Sequence, residues 1–210
     1  MNAQRILVLA PHTDDGEFGC GGSIARFVEE KSEIFYAAFS AAEESVPANF
    51  PKDALREEVK EATAKLGIKR SNLILFKHKV RNFPFFRQKI LDDMIKLNDE
   101  IKPDIVFLPS VKDTHQDHKV ITEEGFRTFK KTTMLGYEIP WNNLTFDTNA
   151  FIFLQDRHLE KKLASLKCYI SQFGRNYASE EFIRSLAITR GAQIGTKYAE
   201  VFEVIRWVLK

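Results

Sequence analysis

The sequence has 210 residues, of which 44% are hydrophobic and 29% charged, and its formal net charge is +2. This length and composition predict one globular domain over residues 1–210 and exclude an intrinsically disordered chain. The small net charge gives no support for a nucleic-acid partner, and the first apolar stretch, 6–10, is too short for a signal peptide or a membrane span. The two cysteines form neither a metal-binding pair nor a disulfide framework, so we expect a cytoplasmic protein.

The first half of the chain alternates short apolar segments with amphipathic ones. Nearly continuous apolar runs, typical of strands buried on both faces of a parallel sheet, occur at RILVLA (5–10), EIFYAAFS (33–40), NLILF (72–76) and DIVFLP (104–109). The spacing of apolar residues predicts helices over 55–66 and 86–101. Asp53 is the predicted N-cap of the first helix and Gly67 its predicted C-cap, whereas Pro103 must end the second.

The second half has a looser pattern. Its aromatic and apolar runs predict strands over 134–141, 150–155 and 199–208, and its helical stretches lie at 157–172 and 180–190. Because strands and helices alternate in the first half, right-handed crossovers predict an α/β fold. We expect an open, mostly parallel sheet with helices on both faces and a strand order near 3-2-1-4-5.

Two motifs rich in histidine and aspartate follow the ends of predicted strands. PHTDD (11–15) follows the first strand, and DTHQDH (113–118) follows the fourth. In a doubly wound sheet, ligands bind outside the carboxyl ends of the strands, at the point where the strand order reverses. With the order 3-2-1-4-5, the first and fourth strands are neighbours at that point. We therefore expect the two motifs to converge in one cleft.

The converging motifs contain a set of metal ligands. His12, Asp15 and His118 supply two imidazoles and one carboxylate, which suit zinc with a position left for water and also suit ferrous iron. The alternative is that each motif is only a polar turn or a helix cap. Their joint placement at adjoining strand ends favours the metal site.

Three further side chains of these motifs match the needs of metal-assisted amide or ester hydrolysis. We interpret Asp14 as the general base that takes a proton from water. His115 is the expected hydrogen-bond donor to the oxygen of the attacked carbonyl. Asp117 is expected to orient one of the ligand histidines from behind.

The glycine-rich segment GEFGCGG (16–22) does not have the spacing of the dinucleotide motif G-x-G-x-x-G. We interpret its glycines as allowing close backbone packing where a loop enters the next helix. Phosphate binding at that helix N-terminus stays the alternative. The remaining histidines, His78 and His158, have no comparable partners in the sequence and are interpreted as surface or strand-end residues.

The two motifs, in this order and after these strands, resemble those of the PIG-L/LmbE-like N-acetylglucosamine deacetylases. The similarity covers most of the chain and includes LREEVKEATAKLGI (55–68), YEIPW (137–141), SQFGRNY (171–177) and RGAQIGTKYAEVF (190–202). The resemblance implies a Rossmann-like fold and a metal-dependent enzyme, usually with zinc. Such an enzyme removes the acetyl group from N-acetylglucosaminyl conjugates.

The resemblance implies the same ligand and catalytic roles for the two motifs, and it adds Arg56 as a contact to the sugar or its substituent. The alternative for Arg56 is a solvated charge on a helix. Thr13 departs from the family, which often has proline at this position, but Thr13 has no part in ligation. Glu138 and Trp141 either line the substrate pocket or pack at a strand end.

The expected function is hydrolysis of the acetamide of a small amino-sugar conjugate, with acetate and a free amino sugar as products. The motifs do not identify the aglycone. A metal hydrolase acting on another acylated amine and a non-catalytic nucleotide- or sugar-binding module stay open as alternatives. Assembly into a homo-oligomer also stays open.

Overall fold

Seven strands are present in the computed structural model, which describes residues 4–172 and 174–209. They are β1 (Arg5–Ala10), β2 (Glu33–Ala38), β3 (Leu73–Leu75), β4 (Ile105–Pro109), β5 (Thr133–Tyr137), β6 (Ala150–Leu154) and β7 (Tyr198–Arg206). The predicted domain also includes residues 1–3, 173 and 210, which lie outside the described residues.

The strands form one sheet in the order β3-β2-β1-β4-β5-β7-β6, which confirms the predicted order of the first five. β1 pairs in parallel with both β2 and β4, and the parallel pairing continues to β3 on one side and β5 on the other. β7 runs antiparallel to β5 and β6. The sheet is therefore open and mostly parallel, and its strand order reverses between β1 and β4.

Six helices of the described residues cover both faces of the sheet. They are α1 (Asp15–Glu29), α2 (Ala54–Leu66), α3 (Arg87–Ile101), α4 (Gln116–Thr128), α5 (Asp156–Leu166) and α6 (Glu180–Ala192). α1 packs against α2 and α5, whereas α3 packs against α4. Among the described residues, no helix combines the length and the apolar character that crossing a bilayer requires.

Both faces of β1 are buried, which explains why its sequence is apolar at consecutive positions. Ile6, Val8 and Ala10 pack into the core on the side of α1 and α2. Leu7 and Leu9 pack into a second core on the side of α3 and α4. Because both faces of the strand are covered, no position of β1 beyond its first residue is left for a polar side chain.

Local chemistry explains where two helices end. Gly67 follows α2 with a φ of 90°, in the left-handed region that favours glycine, as predicted for a C-cap. Asp53 holds the predicted N-cap position of α2, but its side chain accepts no capping hydrogen bond. α3 ends at Ile101, before Pro103, as the sequence predicts.

The strand predicted over 134–141 is shorter in the structure, because β5 ends at Tyr137. Pro140 has no backbone N–H to donate to a neighbouring strand. The chain turns there instead, and the backbone N–H groups of Asn142 and Asn143 both donate to the carbonyl oxygen of Ile139. This turn brings the end of the sheet back towards the histidine motifs.

The helix predicted over 157–172 also ends early, because α5 stops at Leu166. The next residues turn towards the sheet, where the hydroxyl of Tyr169 donates to the carbonyl oxygen of Thr13 at 2.7 Å. The same hydroxyl lies 2.7 Å from the carboxylate of Glu17. The chain therefore leaves α5 and makes long-range polar contacts, although the local sequence pattern predicts that the helix continues.

Candidate active site

The two histidine motifs meet at the carboxyl ends of β1 and β4. His12, Asp14 and Asp15 lie between β1 and the first turn of α1, and His115 is the N-cap of α4, with His118 in its first turn. The ring centroid of His12 lies 5.0 Å from that of His115 and 5.3 Å from that of His118. The predicted convergence of the motifs is therefore present in the structure.

Three potential ligand atoms lie close together in this cluster. The Oδ2 atom of Asp15 lies 3.0 Å from Nδ1 of His12 and 3.3 Å from Nε2 of His118. His118 is buried, and His12 is half-buried. Two imidazole nitrogens and one carboxylate oxygen form a donor set that fits zinc or ferrous iron.

The second nitrogen of each of these imidazoles faces a buried carboxylate. Oδ2 of Asp117 lies 3.0 Å from Nε2 of His12, and Oδ2 of Asp113 lies 2.7 Å from Nδ1 of His118. Such partners fix the ring orientation of metal-binding histidines and turn the other nitrogen towards the metal. Asp117 is thus placed as the sequence predicts. The role of Asp113 is not predictable from the motif, because Asp113 precedes α4 and has no helical spacing to His118.

His115 is oriented differently from the other two histidines. Its Nδ1 accepts the backbone N–H of Asp117 at 3.1 Å, so a neutral His115 carries its proton on Nε2. Burial and the charges of His118 and His12 lower the pKa of His115, which favours this neutral form. His12, His115 and His118 also offer three nitrogens within 4.8 Å of one another. His115 is therefore an alternative third ligand to Asp15.

The electrostatics of the cluster show that it holds protons when no cation is bound. Burial lowers the pKa of His12, but the charge of Asp15 and a hydrogen bond to Asp117 outweigh burial and raise the pKa to about 9. Burial likewise lowers the pKa of His118, and Asp15 and Asp113 raise it to about 10. Burial raises the pKa of Asp15, yet the two imidazolium charges hold it well below its usual range. A divalent cation competes with these protons for the same atoms.

Asp14 lies beside the ligand cluster in a different environment. It is half-buried, occupies the N-cap position of α1 and accepts no capping hydrogen bond. Burial, and then the negative charge of Asp15, raise its pKa to about 6. Asp14 therefore offers a carboxylate whose pKa is near that of an effective general base at neutral pH.

The glycine-rich segment is helical, which corrects the prediction of a loop. α1 begins at Asp15 and contains one break at Cys20, where φ is −145°. Beyond this break, the backbone N–H groups of Gly22 and Ser23 donate to the carboxylate of Glu200 at 2.9 and 2.7 Å. An internal carboxylate thus takes the position that a bound phosphate would need. A Cβ atom at Gly19 would overlap the ring of Tyr137, which supports the close-packing interpretation of the glycines.

A cavity of about 540 Å³ opens over the histidine cluster. Phe18, Trp141 and Tyr177 form an aromatic wall, in which the rings of Trp141 and Tyr177 stack with centroids 4.0 Å apart. Arg81 and Arg175 also line this cavity. Trp141 is thus a pocket residue, which decides between its two sequence interpretations.

Glu138 does not line this cavity. Both of its carboxylate oxygens accept hydrogen bonds from the guanidinium of Arg190 on α6, one of them at 3.1 Å. Glu138 is buried beneath the aromatic wall, at the end of β5. This ion pair ties α6 to the sheet and matches the strand-end interpretation.

Arg56 lies next to the cavity over the histidines rather than in it. Its guanidinium lies 3.1 Å from the carboxylate of Glu43 and lines an adjoining cavity of about 430 Å³. Ala42 and Glu44 line both cavities, so the two adjoin, and together we call them the cleft. The predicted contact of Arg56 with a substituent of the sugar stays a prediction.

His78 and His158 are buried and paired, so their interpretation as residues without partners is wrong. Nε2 of His78 lies 2.9 Å from the carboxylate of Asp93, and Nε2 of His158 lies 3.0 Å from that of Glu29. Nδ1 of His158 accepts the backbone N–H of Gln155 at the start of α5. These partners lie on other elements and leave no local sequence pattern. Both histidines stabilise helix packing.

Comparisons with known proteins agree on one family. The sequence pattern of the PIG-L family, described as GlcNAc-PI de-N-acetylase, matches residues 7–129. Diacetylchitobiose deacetylase of Thermococcus kodakarensis is 23% identical to the chain over 223 residues, which cover 95% of this chain and 82% of that protein. Uncharacterized deacetylase YaiS of Escherichia coli is 30% identical over 178 residues, which cover 77% of this chain and 88% of that protein.

A solved structure shares the fold over nearly the whole chain. N,N′-diacetylchitobiose deacetylase from Pyrococcus horikoshii, complexed with its inhibitor MPG, superimposes with a TM-score of 0.81 and 22% identity. The match covers 97% of this chain and 84% of that one. The family match spans both histidine motifs and more than half of the sequence. The chain belongs to the PIG-L family.

Proposed function

We propose that this chain is a metal-dependent N-deacetylase that hydrolyses the acetamide of an N-acetylated amino sugar. The observation that carries this proposal is the arrangement of His12, Asp15 and His118, in which one oxygen of Asp15 faces a nitrogen of each imidazole while other carboxylates face the second nitrogens. The free carboxylate of Asp14 lies beside these side chains, on the wall of an open cavity. The expected products are acetate and a free amine.

The three ligand side chains fit zinc, with ferrous iron as the alternative. A bound ion of this kind supplies Lewis-acid chemistry, because it polarises a carbonyl and lowers the pKa of water. His12 and His118 would hold the ion as neutral imidazoles, and Asp15 would contribute the anionic ligand. Asp117 and Asp113 keep the two rings turned towards it.

The other side chains of the cluster move protons and stabilise charge. Asp14 takes a proton from the attacking water as the new carbon–oxygen bond forms at the acetamide carbon. Nε2–H of His115 donates a hydrogen bond to the carbonyl oxygen as negative charge develops there. When the carbon–nitrogen bond breaks, Asp14 returns its proton to the departing amine. Water is thus consumed and acetate and amine are formed, with no other reactant.

The cavity wall favours a sugar as the group that carries the acetamide. The stacked rings of Trp141 and Tyr177 offer an apolar surface next to the polar cluster. The apolar faces of pyranose rings pack on such aromatic surfaces. Two relatives of this chain are named for their action on diacetylchitobiose, which is an N-acetylated amino sugar.

We also propose that the protein acts in the cytoplasm. Cys20 and Cys168 are both free, and Cys20 is buried in α1. Unpaired cysteines are typical of a reducing compartment.

The first prediction separates the two neighbouring aspartates. Asp15→Asn replaces an anionic ligand with a neutral one and should lose most of the bound metal. Asp14→Asn should keep its metal but lose 10²–10⁴-fold in rate, the usual effect of losing a general base. Metal content by elemental analysis and acetate release from N-acetylglucosamine conjugates are measured on both variants.

His118→Ala and His115→Ala serve as controls for the ligand set. The first should lose its metal and the second should keep it. If Asp14→Asn loses its metal while Asp15→Asn keeps it, the two roles are reversed. Acetate release only from acylated amines that are not sugars would favour the alternative amidohydrolase, and a protein without metal would favour a binding module.

A further inference from the structure

The segment from Lys77 to Arg81, which follows β3, places three cations on one side. Lys77, Lys79 and Arg81 are exposed, whereas His78 and Val80 between them are buried. Exposed and buried side chains thus alternate along the segment, and its three cations face outward. We call residues 77–81 the basic segment.

The three cations line the two adjoining cavities of the cleft at the edge of the sheet. Arg81 lines the cavity over the histidine cluster, and Lys77 and Lys79 line the adjoining cavity together with Arg56. The basic segment thus runs from the catalytic cavity along the carboxyl ends of β1, β2 and β3. A substrate bound at the histidines and extended along the cleft meets these cations in turn.

Part of this positive charge is paired with carboxylates of the same two cavities. Arg56 pairs with Glu43, and Nζ of Lys79 lies 3.9 Å from a carboxylate oxygen of Glu44. Lys77 forms no ion pair within the described part of the chain, and the guanidinium of Arg81 has one long hydrogen bond, to the hydroxyl of Ser45 at 3.4 Å. Lys77 and Arg81 therefore stay available to an anionic ligand.

The catalytic cluster holds the near end of the basic segment in place. The backbone N–H of Arg81 donates to Oδ2 of Asp117 at 2.6 Å, and the same oxygen lies 3.0 Å from Nε2 of His12. Arg81 has a φ of 64°, a left-handed conformation that residues other than glycine rarely adopt. Asp117 thus fixes both a ligand histidine and the first cation of the cleft.

We propose that the natural substrate is an N-acetylated amino sugar whose anomeric carbon carries a diphosphate, which binds along the basic segment. This inference rests on the proposed deacetylase function. The anomeric carbon is bonded to the carbon that bears the acetamide, so an anomeric diphosphate lies directly beside the catalytic cavity. The three cations come from alternate positions of one segment, so more than one of them can face the successive phosphates of a diphosphate. Lysine and arginine both bind phosphate oxygens.

The test compares substrates that differ in the anomeric group. They are UDP-N-acetylglucosamine, a polyprenyl diphosphate N-acetylglucosamine in detergent micelles, and the neutral methyl glycoside of N-acetylglucosamine. The wild type should have a kcat/KM at least tenfold higher for a diphosphate substrate than for the methyl glycoside. This preference should decrease as salt is added, because salt screens exposed charges. The better of the two diphosphates identifies a nucleotide or a lipid carrier as the source.

The variants connect this preference to the basic segment. In Lys77→Ala/Lys79→Ala, the ratio of kcat/KM for a diphosphate substrate to that for the methyl glycoside should be at least tenfold lower than in the wild type. The change should come mainly from a higher KM for the diphosphate, and the metal content should equal that of the wild type. The matched control is Lys89→Ala/Lys96→Ala, two exposed lysines of α3 that form no ion pair in the described residues and lie outside the cleft. This control should keep the wild-type preference.

Two outcomes overturn the diphosphate proposal and leave the deacetylase proposal in place. The first is efficient deacetylation with no preference for a diphosphate, and the second is an unchanged preference in Lys77→Ala/Lys79→Ala. Acetate release from none of the substrates contradicts the deacetylase function instead. Calorimetric binding of UDP-N-acetylglucosamine to Asp14→Asn, with and without the two lysine changes, then decides the diphosphate proposal independently of turnover.

Discussion

Thr13 carries a buried hydroxyl that no polar group of the described residues satisfies. A buried hydroxyl without a hydrogen bond costs free energy, so Thr13→Val should raise the free energy of unfolding by about 1 kcal/mol. Thr63→Val is the matched control, because the buried hydroxyl of Thr63 donates to the carbonyl oxygen of Val59 at 2.7 Å. Thr63→Val should lower stability. Urea unfolding of both variants measures this, and a destabilised Thr13→Val would contradict the prediction.

Glu17 is a fully buried carboxyl group between the hydroxyls of Tyr36 and Tyr169. Burial raises its pKa from 4.5 to about 8, although both hydroxyl bonds oppose the shift. The folded protein therefore binds a proton that the unfolded chain has already released. The contribution of Glu17 to stability is complete below pH 4.5 and is lost as pH rises towards 8.

Glu17→Gln removes this titration. Relative to the variant, the metal-free wild type should lose about 1.4 kcal/mol of unfolding free energy per pH unit between the two pKa values. Urea unfolding of both chelator-treated proteins at about pH 5, 6 and 7 measures the difference, because these pH values lie between the two pKa values of Glu17. A difference that stays constant with pH would show that Glu17 is ionised in the folded protein.

Local motifs predict which residues converge, but they do not predict distant partners. The motifs that contain His12, Asp15 and His118 follow two recognisable strands that are neighbours in the sheet, so their convergence is predictable. The acidic partners of His78 and His158 lie on other helices, at distances in sequence that no local spacing encodes. The partner of a single buried histidine therefore cannot be predicted from the residues next to it in the sequence.

At the scale of elements, α1 shows how a distant carboxylate supports a broken helix. Glu200 on β7 accepts two backbone N–H groups and the hydroxyl of Ser23, and it pairs with the buried Nζ of Lys162 at 2.6 Å. Removing one partner of a buried ion pair leaves an uncompensated charge. Glu200→Gln should therefore lower the free energy of unfolding by roughly 3–5 kcal/mol.

The double variant Glu200→Gln/Lys162→Met tests the cause. It removes the unpaired cation and should recover part of the lost stability, which a double-mutant cycle measures by thermal unfolding. Additive losses from the two changes would contradict an ion-pair explanation. The helical state of the glycine-rich segment was not predictable, because it depends on this contact with a strand near the other end of the chain.

For the whole molecule, the order of the first five strands follows from local patterns and the handedness of crossovers. The antiparallel end of the sheet and the aromatic wall do not. Trp141 follows β5, whereas Tyr177 precedes α6, and only the folded chain stacks the two rings. The aromatic wall therefore depends on tertiary packing, because no local spacing relates the two segments that supply its rings.

The alternation of exposed and buried side chains along residues 77–81 indicates which positions of the basic segment tolerate substitution. His78 and Val80 anchor the backbone, so the outward side chains of Lys77 and Lys79 can be exchanged without disturbing it. Arg81 is more constrained, because its φ of 64° is left-handed and its backbone N–H donates to Asp117. A library randomised at Lys77 and Lys79 alone would sample neutral, acidic and basic surfaces beside an unchanged histidine cluster. Substrate preference could then diverge through two surface positions without any change in the residues of that cluster.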